Sequence, residues 1–292
     1  MSKSAGSMTQ FGRRPVQFDF VASTGRTATT FLASALNGFC GVAACHEGYL
    51  DGDKGQDALL PLINLENAQA FTSPGAAAQA VADKRSRQVI ADAAQVAGAE
   101  RLVDVAYYNS TLAHALLNAH PSARMLGVIR NCASFVRSAT TITGEDPLPV
   151  GWADPDKPMS QREMFIEMGR IRPARQSAAK AEWKGWGAVR RNVWLWEETN
   201  LLLCAAKDAF PGRVSLVRFE TFAREPAAFW AHTSAFFQLP EASAGVPAGR
   251  AEAVNKKPAG YQIGPQESWA PADQAAAQKS QHVINERALY DC

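Results

Sequence analysis

The chain has 292 residues, of which 47% are hydrophobic and 20% charged, a composition typical of a soluble globular protein with a substantial core. Its formal net charge of +2 does not favour nucleic acid as a partner, and its five cysteines show no CxxC pair or zinc-ligand spacing. The first 17 residues lack the apolar core of a signal peptide, and no apolar run is long enough to cross a membrane. We therefore expect a cytoplasmic protein without disulfide bonds.

Short runs typical of β-strands alternate with longer segments that can form crossover helices. They lie at 16–22, 41–45, 101–108, 124–130 and 213–219. Several are apolar nearly throughout, as strands covered on both faces must be. This pattern predicts a three-layer α/β/α fold around a mainly parallel sheet, in one domain over 16–292 that follows a flexible N-terminus at 1–15.

The stretch "FVASTGRTATTFLASALN" at 20–37 predicts a strand ending near Ala22, a polar loop and a helix through Leu36. Backbone N–H groups and the positive end of the helix dipole would meet at this loop and attract phosphate or sulfate. Gly25 permits a tight turn, Arg26 carries a fixed charge, and further donors are the hydroxyls of Thr27, Thr29 and Thr30. Alternatively, Thr27 only caps the helix and Arg26 is solvated. The pattern GxxxxGK[ST] is absent, which disfavours a nucleoside triphosphatase.

A second anion-binding pair is predicted in "LGVIRNCASFVRSATT". Arg130 ends an apolar strand, and Ser138 follows eight residues later, within a helical stretch. By itself, Arg130 could form a salt bridge at the strand end, and Ser138 could be a surface residue of the helix.

Together, the two motifs resemble those of the sulfotransferases that use 3′-phosphoadenosine 5′-phosphosulfate (PAPS). Arg26, Thr27, Thr29 and Thr30 match the family's 5′-phosphosulfate loop, whereas Ala28 stands where glycine is usual. Arg130 and Ser138 match its 3′-phosphate site, although Cys132 replaces a common proline. The resemblance implies a P-loop nucleotide-kinase-like fold, PAPS as co-substrate and no metal, since Arg26 and the loop amides would take the place of magnesium.

Two later segments also resemble the family. Residues 211–240 are similar to its late strand, acid-containing turn and proline-initiated helix, in which Glu220 would have a packing or capping role. Lys256 and Lys257 lie where a basic loop often folds over the nucleotide. They are either auxiliary phosphate contacts or a solvated lysine pair.

The candidate general bases lie in "VAACHEGYL", just after the second predicted strand. In the glycan-sulfating branch of the family a glutamate at this point removes the proton of the acceptor, so the resemblance favours Glu47 as the base. Consecutive residues of an extended segment face opposite ways, so only one of the pair should face the cleft. We assign His46 an orienting or substrate-contacting role, the alternative being that neither residue is catalytic and both flank a loop.

The acceptor is expected to bind at less recognisable segments. They are 48–75, the proline-rich stretch at 144–160, which is either a linker or a flap, and the basic region 162–191. The basic region is either a solvated face or a funnel for an anionic ligand. Trp186, Trp196 and apolar residues at helical spacing predict a long helix whose tryptophans pack in the core, although they could stack on a sugar. A final helix is predicted over 271–290.

The sequence thus predicts an enzyme that transfers a sulfonyl group from PAPS to a hydroxyl or amine of a small-molecule or glycan acceptor, with a carboxylate as general base. Two alternatives remain open. One is a nucleotide-dependent phosphotransferase on the same scaffold, and the other is a nucleotide-binding protein that has lost turnover.

Overall fold

The computed structural model describes residues 16–47, 49–50, 67–82, 98–140, 150–240 and 259–292. Its centre is a six-stranded sheet in the order β3-β2-β4-β1-β5-β6. The strands are β1 Gln17–Ser23, β2 Val42–His46, β3 Tyr49–Leu50, β4 Arg101–Ala106, β5 Met125–Ile129 and β6 Val214–Arg218. Five of them are parallel, and β3 pairs antiparallel with β2 at one edge. The predicted α/β class with a mainly parallel sheet is confirmed.

Helices cover both faces of the sheet. They are α1 Thr29–Leu36, α2 Pro74–Ala82, α3 Ala113–Ala119, α4 Cys132–Ala139, α5 Gln161–Met168, α6 Ala178–Glu182, α7 Ala188–Ala209, α8 Phe219–Arg224, α9 Pro226–Phe237 and α10 Pro271–Ala288. The predicted long helix is α7, and the predicted final helix is α10. Among the described residues, no helix combines the length and the apolar character that a membrane crossing requires.

The core consists of two apolar layers separated by the sheet. On one face, Val21 and Val128 pack with Leu32 of α1 and Phe229 of α9. On the other face the layer includes Phe20, Leu116, Phe135, Trp196 and Leu203. Trp196 is fully buried, so the prediction that it packs in the core is confirmed. Trp186 lies before the start of α7, so its predicted place in that helix is wrong, and it is only partly buried against the core. Alternate residues of β1 enter opposite layers, which is why this strand is apolar nearly throughout.

The strand order creates a crevice at the carboxyl end of β1. From this central strand the chain crosses to β2 on one side, and it later continues through β5 on the other side. Parallel α/β sheets bind ligands at such a reversal, outside the carboxyl ends of the strands. The loops that follow β1, β2, β4 and β5 all begin at this edge, so residues distant in the sequence are brought together there.

Two side chains fix the elements that border the crevice. Asn37, directly after α1, accepts a hydrogen bond from Ala44 N at 2.7 Å and donates one to Ala44 O at 3.0 Å, which ties the helix to β2. Glu220 Oε1 accepts a hydrogen bond at 2.9 Å from Asn131 N, which ties α8 to the end of β5. Glu220 thus has the bracing role expected from the sequence.

Several predictions concern residues outside the described ranges. They are the flexible N-terminus at 1–15, most of the proposed acceptor segment at 48–75, Lys256 and Lys257, and the first part of the 144–160 segment. The described part, 150–160, is anchored at its start: Trp152 is 2% exposed and its backbone N–H donates to Asn192 Oδ1 at 2.8 Å.

Candidate active site

The loop between β1 and α1 has an unusual backbone. Gly25, Arg26 and Ala28 have positive φ angles of 83°, 58° and 56°. Ser23 Oγ accepts a hydrogen bond from Gly25 N at 3.0 Å, which closes the turn. No side chain caps the N-terminus of α1. The alternative that Thr27 caps this helix is therefore wrong.

Thr27 itself is fully buried, and its hydroxyl forms no hydrogen bond with any described residue. A buried hydroxyl without a partner is costly, and such groups often mark a place that a ligand or a water completes. The uncapped helix terminus and this hydroxyl lie in the same short segment, and both suit an anion.

The structure brings the two predicted anion-binding motifs into direct contact. Arg26 Nε donates to Ser138 Oγ at 2.8 Å, and Arg130 Nη1 donates to the backbone oxygen of Arg26 at 2.7 Å. Among the described residues, Arg130 thus contacts the loop backbone and does not form the salt bridge of the alternative interpretation. Ser138 is partly buried and contacts the loop, so it is not the surface residue of that interpretation. Ser138 faces the loop from α4, and Asn131 caps that helix by accepting from Ser134 N at 3.2 Å.

Arg130 is partly desolvated and lies close to the positive charge of Arg26. The indole N–H of Trp196 donates to the backbone oxygen of Arg130 at 2.8 Å, and the Arg130 guanidinium lies 5.1 Å from the Phe219 ring centre. Burial lowers the pKa of Arg130, and the nearby charge of Arg26 lowers it further. Its Nε is buried and forms no hydrogen bond with the described residues. An anion between Arg26 and Arg130 would relieve their repulsion and accept this donor.

His46 contacts the same loop from β2. Its Nε2 lies 2.9 Å from Thr29 Oγ1 and 3.4 Å from Thr30 Oγ1. The hydroxyls of Thr29 and Thr30, which are predicted to bind the anion, therefore contact His46, which is predicted to have an orienting role.

Glu47 lies beyond the end of β2, and its backbone N–H donates to Val105 O at 3.1 Å. Its Oε1 is 3.9 Å from His46 Nε2, so the expectation that the two side chains face opposite ways is wrong. The reason is that Glu47 has a φ of 52° and no longer follows the alternation of the strand. Desolvation raises the pKa of Glu47, opposed by His46 and Arg170, so its carboxylate is a stronger base than an exposed one.

The sequence did not single out Tyr107 and Arg170, which also face this edge. Tyr107 directly follows β4. The Arg170 guanidinium lies 5.1 Å from the centre of the Tyr107 ring. Burial raises the pKa of Tyr107 to about 12, although the charge of Arg170 opposes the shift. Both residues line a small cavity that reaches Ser23 and Thr24 of the loop. Arg170 had only one sequence signal, its membership of the basic region 162–191.

No metal centre is indicated by the described side chains, because nowhere among them do three His, Cys, Asp or Glu residues form a cluster that could hold an ion. The described charged groups at the site include Arg26, Arg130, Arg170 and Glu47, and the charges of Asp104 and Glu220 also act on them.

No protein-family model and no curated protein sequence matches the chain. The solved structures that are similar to it include three sulfotransferases, each at 15% identity. A sulfotransferase from Alicyclobacillus acidocaldarius aligns over 94% of both chains with a TM-score of 0.49. Sulfotransferase domains from the curacin biosynthetic pathway and from the Synechococcus PCC 7002 olefin synthase both have TM-scores of 0.46. The alignment with the curacin domain covers 96% of this chain and 99% of that domain. The alignment with the olefin synthase domain covers 99% of this chain and 100% of that domain. We base the functional assignment on the geometry of the site.

Proposed function

We propose that the protein transfers the sulfonyl group of PAPS to a hydroxyl of a small acceptor. The observation that carries this proposal is the contact between the two motifs: Arg26 Nε donates to Ser138 Oγ at 2.8 Å and Arg130 Nη1 to Arg26 O at 2.7 Å. Arg26 and Arg130 therefore form two adjacent cationic sites, one for the 5′-phosphosulfate at the loop and one for the 3′-phosphate. This arrangement suits a nucleotide with an anionic group at both its 5′ and 3′ positions.

In the proposed reaction the acceptor oxygen attacks sulfur in line with the leaving group. The new O–S bond forms while the bond from sulfur to the 5′-phosphate oxygen breaks, and the products are a sulfate ester and adenosine 3′,5′-bisphosphate. Glu47 takes the proton of the acceptor hydroxyl. Arg26 and the amides at the start of α1 stabilise the negative charge that develops on the leaving phosphate.

His46 has a positioning role in this scheme. When its Nε2 carries a proton and donates it to Thr29 Oγ1, the Thr29 hydroxyl hydrogen can point to the sulfonate oxygens. The opposite tautomer would turn that hydrogen away from them. The 2.9 Å contact thus orients a donor of the loop.

Binding of adenosine 3′,5′-bisphosphate tests the proposal. We expect saturable thermal stabilisation by this ligand, and Arg130→Gln should weaken its binding by about 10- to 100-fold, because a charge-assisted hydrogen bond contributes roughly 1.5–3 kcal/mol. Arg224→Gln, which changes an exposed arginine of α8, is the matched control and should bind normally.

Absence of stabilisation at millimolar ligand, or equal affinity in Arg130→Gln, would contradict the proposal. Magnesium-dependent turnover of ATP without binding of the bisphosphate would instead establish the phosphotransferase. Tight binding without transfer of label from PAPS to any acceptor would identify a nucleotide-binding protein that has lost turnover.

A further inference from the structure

Arg170 is a buried cation that forms no direct ion pair with a described residue. It is only 5% exposed, and none of the ion pairs among the described residues includes it. Its Nε is buried and forms no hydrogen bond with them. Burying a charge in this way is costly unless a partner compensates it. The charges of Glu47 and Glu167 reach Arg170, but no described carboxylate is in direct contact with its guanidinium.

The surroundings of Arg170 are firmly held. Asn67, 4% exposed, donates from Nδ2 to Gly169 O at 2.6 Å, and Thr111 Oγ1 donates to Asn67 Oδ1 at 2.6 Å. These bonds fix the backbone just before Arg170, while the Tyr107 ring lies under its guanidinium. A cation that is both buried and anchored is preorganised for a ligand, because little ordering remains to be done on binding.

Arg170 lines a small cavity beside the phosphosulfate loop. Its polar lining comprises Ser23, Thr24, Asn67, Tyr107, Thr111, Arg170 and Thr199, and its apolar lining Ile171 and Leu195. Several hydroxyls already donate within the protein, for example Thr199 Oγ1 to Leu195 O at 2.7 Å. The donor that remains to be used is the Nε–H of Arg170, so the cavity suits a group that accepts hydrogen bonds and carries negative charge.

We propose that Arg170 binds a carboxylate of the acceptor, which makes the acceptor a small hydroxy acid. A planar guanidinium matches a carboxylate better than a neutral group, and a two-oxygen planar anion suits a narrow cavity. Glu47 follows the carboxyl end of β2, and Arg170 lies against Tyr107, which follows the carboxyl end of the adjacent strand β4. One compact molecule can therefore present its carboxylate to Arg170 and its hydroxyl to Glu47. This inference rests on the proposed function, since it names the acceptor of that reaction.

The first test observes Arg170 directly by ¹⁵N–¹H spectroscopy of arginine Nε groups in the protein saturated with adenosine 3′,5′-bisphosphate. The Arg170 signal is assigned as the one missing in Arg170→Gln. We expect benzoate and 3-hydroxybutyrate to shift it saturably at millimolar concentration, and benzamide and methyl 3-hydroxybutyrate to leave it unchanged. No shift with either acid would overturn the proposal and leave a water as the occupant. A shift with inorganic sulfate or phosphate but not with the acids would overturn the assignment of a carboxylate.

The second test measures transfer of ³⁵S from labelled PAPS to 3-hydroxybutyrate, to 4-hydroxybenzoate and to their methyl esters. At least one acid should have a KM tenfold or more below that of its ester, and Arg170→Gln should remove this preference while leaving nucleotide affinity within twofold. Arg190→Gln, a partly exposed arginine outside the cavity, makes the same change of charge and should retain the preference. Equal use of acids and esters by the unmodified protein, or an unchanged preference in Arg170→Gln, would count against the subsite.

The two proposals fail in different ways. If the protein does not bind adenosine 3′,5′-bisphosphate, the proposed function fails. If it binds the bisphosphate and benzoate has no effect on the Arg170 signal, only the acceptor subsite fails.

Discussion

At the scale of single residues, His46 and Glu47 are neighbours in the chain with different surroundings. His46 contacts Thr29 and Thr30 of the loop between β1 and α1, whereas the charge of Glu47 is influenced by Arg170 and Asp104 in addition to His46. The division follows from the backbone, because β2 ends at His46 and Glu47 turns with a positive φ. It supports a loop-orienting role for His46 and a proton-accepting role for Glu47.

Replacement of Glu47 tests this division of roles. We expect Glu47→Gln to lower kcat by about 10²- to 10⁴-fold, the usual contribution of a general base, with nearly unchanged affinity for adenosine 3′,5′-bisphosphate. The kcat–pH profile of the unmodified protein should rise with pH as Glu47 ionises, with a midpoint above that of an ordinary glutamate, because desolvation raises the pKa of Glu47. The variant should lose this limb.

His46→Ala is the companion variant. It removes the contact with Thr29, so it should weaken catalysis without abolishing the pH-dependent limb. Should Glu47→Gln keep its kcat while His46→Ala loses the limb, the assignment of the base must be reversed.

At the scale of elements, the start of α1 is the least ordinary part of the fold. Its flanking residue, Ala28, has a φ of 56° and a ψ of 34°, the left-handed conformation that favours glycine. The loop sequences that this stretch resembles usually have glycine here. Alanine therefore occupies a conformation that favours glycine, at the point where no described side chain caps the backbone N–H groups of α1.

We expect Ala28→Gly to increase the free energy of unfolding by up to about 1 kcal/mol, because relief of the left-handed strain exceeds the entropy gained by the unfolded chain. Urea denaturation measures the change, and binding of adenosine 3′,5′-bisphosphate should be retained. Ala275→Gly, at an exposed position inside α10, is the matched control and should lose about 1 kcal/mol. Equal destabilisation by both substitutions would show that position 28 does not have a positive φ.

At the scale of the whole molecule, a buried carboxylate couples stability to pH. Asp19 of β1 is fully buried, accepts a hydrogen bond from Arg124 N at 2.7 Å and pairs with Arg101. Burial raises the pKa of Asp19 to about 6, despite the opposing effects of Arg101 and Arg124. Since the pKa is higher in the folded than in the unfolded chain, protonation favours folding. The contribution is complete below about pH 4 and is lost as the pH rises through about 6.

Asp19→Asn should remove this dependence while retaining an oxygen for the Arg124 N–H. Between pH 7.5 and pH 5, the free energy of unfolding of the unmodified protein should rise by roughly 1.4 kcal/mol more than that of the variant. Urea denaturation at both pH values gives the difference. Asp208→Asn changes a largely exposed carboxylate and should behave like the unmodified protein, whereas a parallel pH dependence in Asp19→Asn would contradict the assignment.

Local patterns in the sequence determined the five parallel strands, the long α7 and the position of the 23–30 loop between a strand and a helix. Each depends on neighbouring residues: apolar runs for strands covered on both faces, three- and four-residue spacing for the helix, and small hydroxyl-bearing residues at a strand–helix junction. The resemblance of the stretch around Arg130 and Ser138 to a nucleotide-binding motif also directed attention to these two residues, and both form hydrogen bonds with Arg26.

Only the tertiary structure decided which groups meet. The short strand β3, the left-handed backbone at Ala28 and the turn that brings Glu47 beside His46 depend on packing rather than on residue type. The contact of Arg170 with Tyr107 joins segments far apart in the chain, and in the sequence Arg170 is one of several arginines in a basic region. Its burial beside a cavity, which makes it a candidate for binding the acceptor, arises because the crevice at the end of β1 gathers loops from across the sheet.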